Sequence, residues 1–256
     1  MKIATFNVNS LRARLAIVVD WLLEHRPDIL CVQETKVQDK DFPCDAFDEI
    51  DYKYVFKGQK SYNGVALFSR EEIEEVRYGF EDEPKDGPRL ITGQIKGVRI
   101  VNTYVPQGQS RESEKFQYKL NWFKRLGEFF EENFEPGEPI IWVGDFNVAP
   151  EDRDVYDPDG LRGHVCFCEE VTEALNGIME WGFVDLFRKY CQEAGQYTFW
   201  DYRERGGFRR NHGWRLDHIM VSKSLAKKST GCYVDKKPRM LEKPSDHTPL
   251  VAEFEL

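Results

Sequence analysis

Eight polar residues fall where apolar runs begin or stop. Asn7 closes "KIATFN", Glu34 follows "DILCVQ", and Tyr104 closes "VRIVNTY". Asp145 and Asn147 end "IIWVGDFN", Asp217 opens "DHIMV", and Asp246 and His247 precede the last apolar run in "KPSDHTPLV". Acids, amides, a phenol and one imidazole make a set of hard oxygen donors with no thiolate or histidine cluster, which suits Mg²⁺, with Mn²⁺ as a substitute. Neither a serine nucleophile elbow nor an HExxH helix is present. Such a set performs phosphoester hydrolysis. A cation offsets charge on the phosphate, an acid orients or deprotonates water, and amide, imidazole and phenol donors stabilise the charge that grows at phosphorus.

Taken singly, each element has a plainer reading. "GDFN" makes a turn, "SDH" caps a helix, and a strand-end glutamate is solvated. Their joint occurrence at strand ends is what points to a site, because neighbouring strands lie ~4.8 Å apart and their ends can gather in one cleft. In an extended segment Asp145 and Asn147 project to the same side. Gly144 is expected to let the backbone turn there without a side chain crowding the phosphate.

The elements that must position these groups follow from periodicity. Residues 2–8 read as a strand, Ser10 as the N-cap of a helix with Leu11, Leu15, Val18, Val19, Leu22 and Leu23 at helical spacing, and Asp28–Gln33 as a short buried strand after Pro27. "YKYVF", "NGVALFS", "RLITGQI" and "VRIVNTYV" read as consecutive strands. Phe116, Leu120, Phe123, Leu126, Phe130 and Phe134 share one face of a long helix, which core packing explains. Residues 169–181 are expected to be helical, with "LDHIMVS" and "HTPLVAEFEL" as late strands. There is no 20–50-residue repeat and no linker, so residues 1–256 are expected to form a single α/β domain.

The totals agree with a globular chain. It has 256 residues, 41% hydrophobic and 32% charged, and no apolar run of the ~20 residues that a membrane helix needs. Without a signal-peptide pattern at its start, the chain is expected to be cytoplasmic. The six cysteines are read as reduced thiols, with Cys31 in the core. Net charge is −9, but from Arg203 to Leu256 twelve Lys and Arg face seven Asp and Glu, so the first 202 residues carry −14. A locally basic segment on an acidic body can bind phosphate. For "KSLAKKSTGCYVDKKPRMLEK" alone, a solvated lysine-rich surface is the simpler account.

At this point the chain resembles a known family. "FNVNSLRAR", "PDILCVQETK", "YVPQGQSR", "GDFN", "WRLDHIMVS" and "KPSDHTP" look like exonuclease III-type apurinic/apyrimidinic (AP) endonucleases, the bacterial branch more than the animal one, from Ile3 to about Phe254. These enzymes lie within the endonuclease/exonuclease/phosphatase superfamily. The resemblance implies a four-layer α/β sandwich of two packed mixed sheets flanked by helices, like deoxyribonuclease I. It implies Mg²⁺-dependent cleavage 5′ to an abasic site, with trimming of 3′ ends, by a monomer acting on double-stranded DNA that carries abasic sites or blocked 3′ ends, with no membrane.

Carried over by motif, Glu34 is the principal metal ligand, with Asn7 beside it, Asn9 close by and Asp246 as a metal residue. Asp145 handles the attacking water, Asn147, Tyr104 and Gln107 contact the phosphate, and His247 donates to it while Asp217 holds the imidazole. Phe199, Trp214 and Leu216 surround a flipped-out sugar, and Trp200 is read as core. Arg111 and Arg203, with Arg205, Arg209, Arg210 and Arg215, are expected on backbone phosphates. Ser10 stands where the family often has glycine, and the loop Glu204–Asn211 matches poorly, which leaves the balance of endonuclease and exonuclease action open. Two alternatives remain: a phosphodiesterase of the same superfamily acting on RNA, an inositol phosphate or a lipid headgroup, and a non-catalytic DNA-binding protein.

Overall fold

The computed structural model describes residues 1–80 and 87–256. Strands β1 (Lys2–Asn7), β2 (Ile29–Gln33), β3 (Lys53–Lys57) and β4 (Val65–Ser69) begin the first sheet. Strands β5 (Glu74–Tyr78), β6 (Leu90–Ile95), β7 (Val98–Tyr104), β8 (Ile140–Asp145), β9 (Phe183–Asp185) and β10 (Asp217–Ser222) make the second, and β11 (Ser229–Val234) and β12 (Leu250–Phe254) return to the first. The orders are β11-β12-β1-β2-β4-β3 and β5-β6-β7-β8-β10-β9. Each sheet has one parallel pair in its middle, β1–β2 and β7–β8, and is otherwise antiparallel. A parallel pair needs a crossover. The Leu15–His25 helix supplies the first and the Glu114–Asn133 helix the second.

Side-chain alternation turns these strands into four layers. On β8, Ile141 and Val143 face the gap between the sheets, packed with Ile3, Ile29, Cys31, Ile100, Ile219 and Leu250. Ile140 and Trp142 face the other way, onto Phe123, Leu126 and Phe130 of the long helix and onto Leu175 of the Glu169–Glu180 helix. The outer face of the first sheet, with Ala4, Phe6, Leu30 and Val32, is covered by Val18, Trp21 and Leu22. The gap therefore follows the odd positions of β1, β2, β8 and β10 and the even positions of β7.

Toward one rim that gap turns polar. Gln33 Nε2 donates to Thr5 Oγ1 (2.9 Å) and to Asn102 Oδ1 (2.7 Å), and Asn102 Nδ2 donates to the carbonyls of Val32 and Ala66 across the sheets (3.0 Å each). One residue pair further out, Asn7 aligns with Gln33 and Tyr104 with Asp145, and Asp145 with Asp217. The site residues are the last members of the same inward-facing rows that form the core.

Several expectations need revision. Ser10 is not a helix cap. It sits at φ 92, its N–H bonds the Glu34 carbonyl (2.8 Å), and a short 3-10 turn, Arg12–Arg14, precedes the α-helix, which starts at Leu15. Strands β5, β9 and β11 were not anticipated, and β11 with the Lys223–Lys228 helix forms within the lysine-rich tract. Gly144 lies within β8, and its reason is the neighbouring strand. A Cβ there would stand 1.9 Å from the Thr103 carbonyl oxygen. All six cysteines are free, and among the described residues no helix is long and apolar enough to cross a membrane.

Candidate active site

Asn7 stands at the centre of the cleft. It is fully buried, and its Nδ2 donates both to Glu34 Oε1 (2.9 Å) and to Asp145 Oδ2 (2.8 Å), while its Oδ1 accepts from the Asn9 N–H (3.0 Å). The amide thus ties the exit of the first sheet to that of the second. Glu34 leaves β2 in a left-handed conformation (φ 54), which turns its carboxylate back into the cleft. Burial pushes that carboxyl up in pKa, but the Lys36 charge and the Asn7 and Lys36 hydrogen bonds outweigh burial and hold it below the usual range. Lys36 Nζ lies 2.6 Å from Glu34 Oε2 and also donates to Asn9 Oδ1.

Asp145 is buried beneath this pair. Burial raises its pKa, the charge of His247 opposes that, and Asp217 and Glu34 raise it further, to about 7. Asn147 is not extended as expected. The strand stops at Asp145, and Asn147 turns left-handed (φ 51), so that its N–H reaches back to Asp145 Oδ1 (2.9 Å) and its Nδ2 donates to the Val105 carbonyl (2.9 Å). The acid and amide still meet, through a tight turn and not through strand alternation.

His247 is held from three sides. Nδ1 lies 2.7 Å from Asp217 Oδ2, Nε2 faces Asp145 Oδ2 at 3.7 Å, and the Phe199 ring is 4.8 Å away. Burial alone would lower the imidazole pKa; Asp217 and then Asp145 overcome it and raise it to about 10. Asp145, Asp217 and His247 bring donor atoms within 4.8 Å of one another. The Asp217 and Asp145 carboxylates favour the charged imidazole, which in that form carries hydrogen on both nitrogens. Asp217 Oδ1 is buried with no hydrogen-bond partner.

Around this centre lie groups that sequence reasoning missed. Arg14 Nη1 donates to the Asn9 carbonyl (2.8 Å), and its Nη2 donates to Tyr202 Oη (3.0 Å) and the Pro244 carbonyl (3.0 Å). That clasp joins the loop of Asn9 to the loop of Asp246, whose Oδ1 accepts from Asn9 Nδ2 (2.9 Å). Ser245 Oγ donates to the Asn7 carbonyl (2.7 Å). The Arg89 guanidinium sits 4.7 Å over the Tyr104 ring. Burial, Glu34 and Asp145 push the Tyr104 hydroxyl well above its ordinary pKa, so it remains a donor.

The expected DNA-contact residues divide. Phe199 is half-buried beside His247, Trp214 packs against the His164 ring at 4.9 Å, and Leu216 is buried. Gly213, between them and Trp200, has no room for a side chain, since a Cβ would lie 2.5 Å from Trp200 Nε1. Gln107 is exposed on the rim. Arg203 pairs with Asp201 (2.6 Å) and Arg210 with Glu204 (2.8 Å) on the surface, and Arg111 pairs with Glu170 beside a cavity of about 580 Å³ that also takes in Arg162 and Phe167. Glu34, Asp145, Asp217 and Asp246 do not line that cavity.

Arg215 is a correction. It is fully buried, bonded to Asp154 (2.6 and 3.0 Å) and Asp185 (2.8 Å), and reaches no phosphate. Its Nη1 donates to His218 Nδ1 (2.9 Å), and His218 Nε2 donates in turn to the Val148 carbonyl (2.8 Å).

The fold and the pairing of acids, amides and imidazole define a class, and sequence comparison agrees. Residues 4–247 match the Endonuclease/Exonuclease/phosphatase family, and the chain belongs to it. It is 34% identical over 267 residues to exodeoxyribonuclease III of Haemophilus influenzae, covering 99% of this chain and 100% of that protein. Among solved structures it is similar to an AP endonuclease from Archaeoglobus fulgidus (51% identity, TM-score 0.98, all of both chains). It is also similar to a 3′ phosphatase from Neisseria bound to a product DNA hairpin (38%, 0.95, all of both chains).

Proposed function

We propose that the chain is a divalent-metal-dependent DNA repair nuclease that hydrolyses the phosphodiester 5′ to an abasic site in duplex DNA and also trims 3′ ends. The observation that carries the reading is the placement of buried Asp145 beside an imidazole whose Nδ1 is held by Asp217 at 2.7 Å and whose Nε2 faces Asp145 at 3.7 Å. That pair supplies a proton acceptor and a proton donor within one cleft at neutral pH.

The donor set fits a hard cation. Glu34 and Asp246 offer carboxylate oxygens and Asn7 and Asn9 amide oxygens, and the Lys36 ammonium resting on Glu34 and Asn9 marks those oxygens as a seat for positive charge. Glu34 would hold Mg²⁺, or Mn²⁺ in its place, with Asn7 and Asp246 adjoining. When bound, the ion offsets negative charge on the scissile phosphate and on the leaving 3′ oxygen.

The chain's own groups do the rest. Asp145 takes the proton of the attacking water as its oxygen bonds to phosphorus and the bond to the 3′ oxygen breaks; the 3′ oxygen leaves with the bonding pair and takes a proton from solvent water, giving a 3′-hydroxyl and a 5′-deoxyribose phosphate. His247 Nε2 donates to a non-bridging phosphate oxygen, with Tyr104 and Asn147 as further donors. Phe199, Trp214 and Leu216 form an apolar wall beside His247 that suits a sugar without its base. The test is one labelled duplex with a single abasic analogue. Mg²⁺ should support a single cut 5′ to it, EDTA should abolish cutting, and Asp145→Asn should lose at least about 1,000-fold in rate while still binding DNA. Equal cutting of intact duplex would sink the damage-specific reading.

A further inference from the structure

Lys119 is a polar residue on the apolar face of the Glu114–Asn133 helix, three residues after Phe116 and four before Phe123. Its side chain is fully buried. Nζ donates to the carbonyl oxygens of Asn147 (2.7 Å), Val165 (2.7 Å) and Gln107 (3.2 Å), with Cys166 Sγ at 3.9 Å. An ammonium has three donors, and all three are used. None remains for a phosphate, and no surface is open to one. The three carbonyls belong to three loops. One carries Gln107 itself, one carries Asn147, and one runs past His164, whose ring lies against Trp214. Gly108, at φ +100, lets the first loop close over the lysine stem, and a Cβ there would stand 3.3 Å from Lys119 Cδ.

We propose that Lys119 is a positioning residue for the phosphate-binding rim, one that locks the loops of Gln107, Asn147 and His164 together from beneath without touching nucleic acid. The inference rests on the nuclease reading above. A buried cation without a carboxylate partner is costly, and here three aligned carbonyl dipoles compensate it. The carbonyl of Asn147 is one of them, and that residue's left-handed backbone is what aims its amide. Loss of the ammonium frees all three loops at once. A shift of about 1 Å in a group that contacts the transition state costs about 100-fold in rate.

The experiment compares wild type with Lys119→Met on the abasic duplex. The single-turnover rate at saturating enzyme should fall about 100-fold. DNA affinity in EDTA should keep its wild-type salt dependence, whereas loss of a direct phosphate contact lowers that slope by about 1. Lys119→Arg, which keeps the charge and several donors, should recover part of the rate. A Lys119→Met rate within threefold of wild type, or a reduced salt slope, overturns the proposal. If wild type itself leaves the duplex uncut, the nuclease reading fails instead. If Lys119→Met does not fold, reductive methylation of wild type decides. Lys119 should stay unmodified with and without DNA, and modification in the free protein that DNA suppresses would show a direct contact and overturn the proposal.

Discussion

Asp217 Oδ2 lies 2.7 Å from His247 Nδ1, and both groups are buried. The bond fixes which imidazole nitrogen faces the cleft and keeps the ring charged. Asp217→Asn retains an acceptor of the same shape but removes the charge. The rate should fall by about 100-fold or more. The sign of the pH effect follows from the cause. Asp217 and Asp145 raise the His247 pKa to about 10, so losing one of them lowers it. The alkaline limb of the pH–rate profile should move to lower pH in the variant. A limb that stays where wild type has it would remove His247 as the titrating donor.

Gly144 has a steric and not a catalytic reason. With φ at 141 and a Cβ position 1.9 Å from the Thr103 carbonyl oxygen, Gly144→Ala must separate β7 from β8 beside Asp145. A stability loss of about 3 kcal/mol or more is expected in urea denaturation. A loss below about 1 kcal/mol would mean that the two strands can part without cost.

His218 should give the fold an acid-sensitive window. Burial and then the Arg215 charge lower its pKa to about 4, and the Arg215 donor at Nδ1 leaves only Nε2 to carry hydrogen. Unfolded, the group titrates near 6.5. Between those values the unfolded chain binds a proton that the folded chain refuses. Stability from this group is therefore complete above about 6.5 and declines as pH falls toward about 4, by on the order of 3 kcal/mol. Subtracting the His218→Gln stability curve from that of wild type should isolate the decline, and a flat difference would contradict it.

Much of this site was legible because its residues terminate strands. Asn7, Asp145 and Asp217 are the last inward-facing members of apolar alternations, so the pattern that announces the core also announces where it stops. Glu34 and His247 lie just beyond strands, within reach of the same argument. Arg215 was not legible. Its place among aromatic residues suggests a phosphate contact, and its burial depends on Asp154 and Asp185, which are distant in sequence. The Asp145–Asn147 pair was read correctly as neighbours for the wrong reason, because a left-handed turn leaves no mark on hydrophobic periodicity. Lys119 reads in sequence as one more cation of an amphipathic helix, and its burial depends on the loops of Gln107, Asn147 and Val165 that close over it. Arg14 left no mark, since its partners Asn9, Tyr202 and Pro244 come from three separated stretches.

The strand order has a consequence for when cutting can begin. β1 pairs on one side with β12, and His247 enters the cleft only through the segment that leads into β12. A chain that stops before residue 247 lacks both the imidazole of the cleft and β12, the strand that lies between β1 and β11. Completion of the site therefore coincides with completion of the first sheet, in the final stretch of the chain.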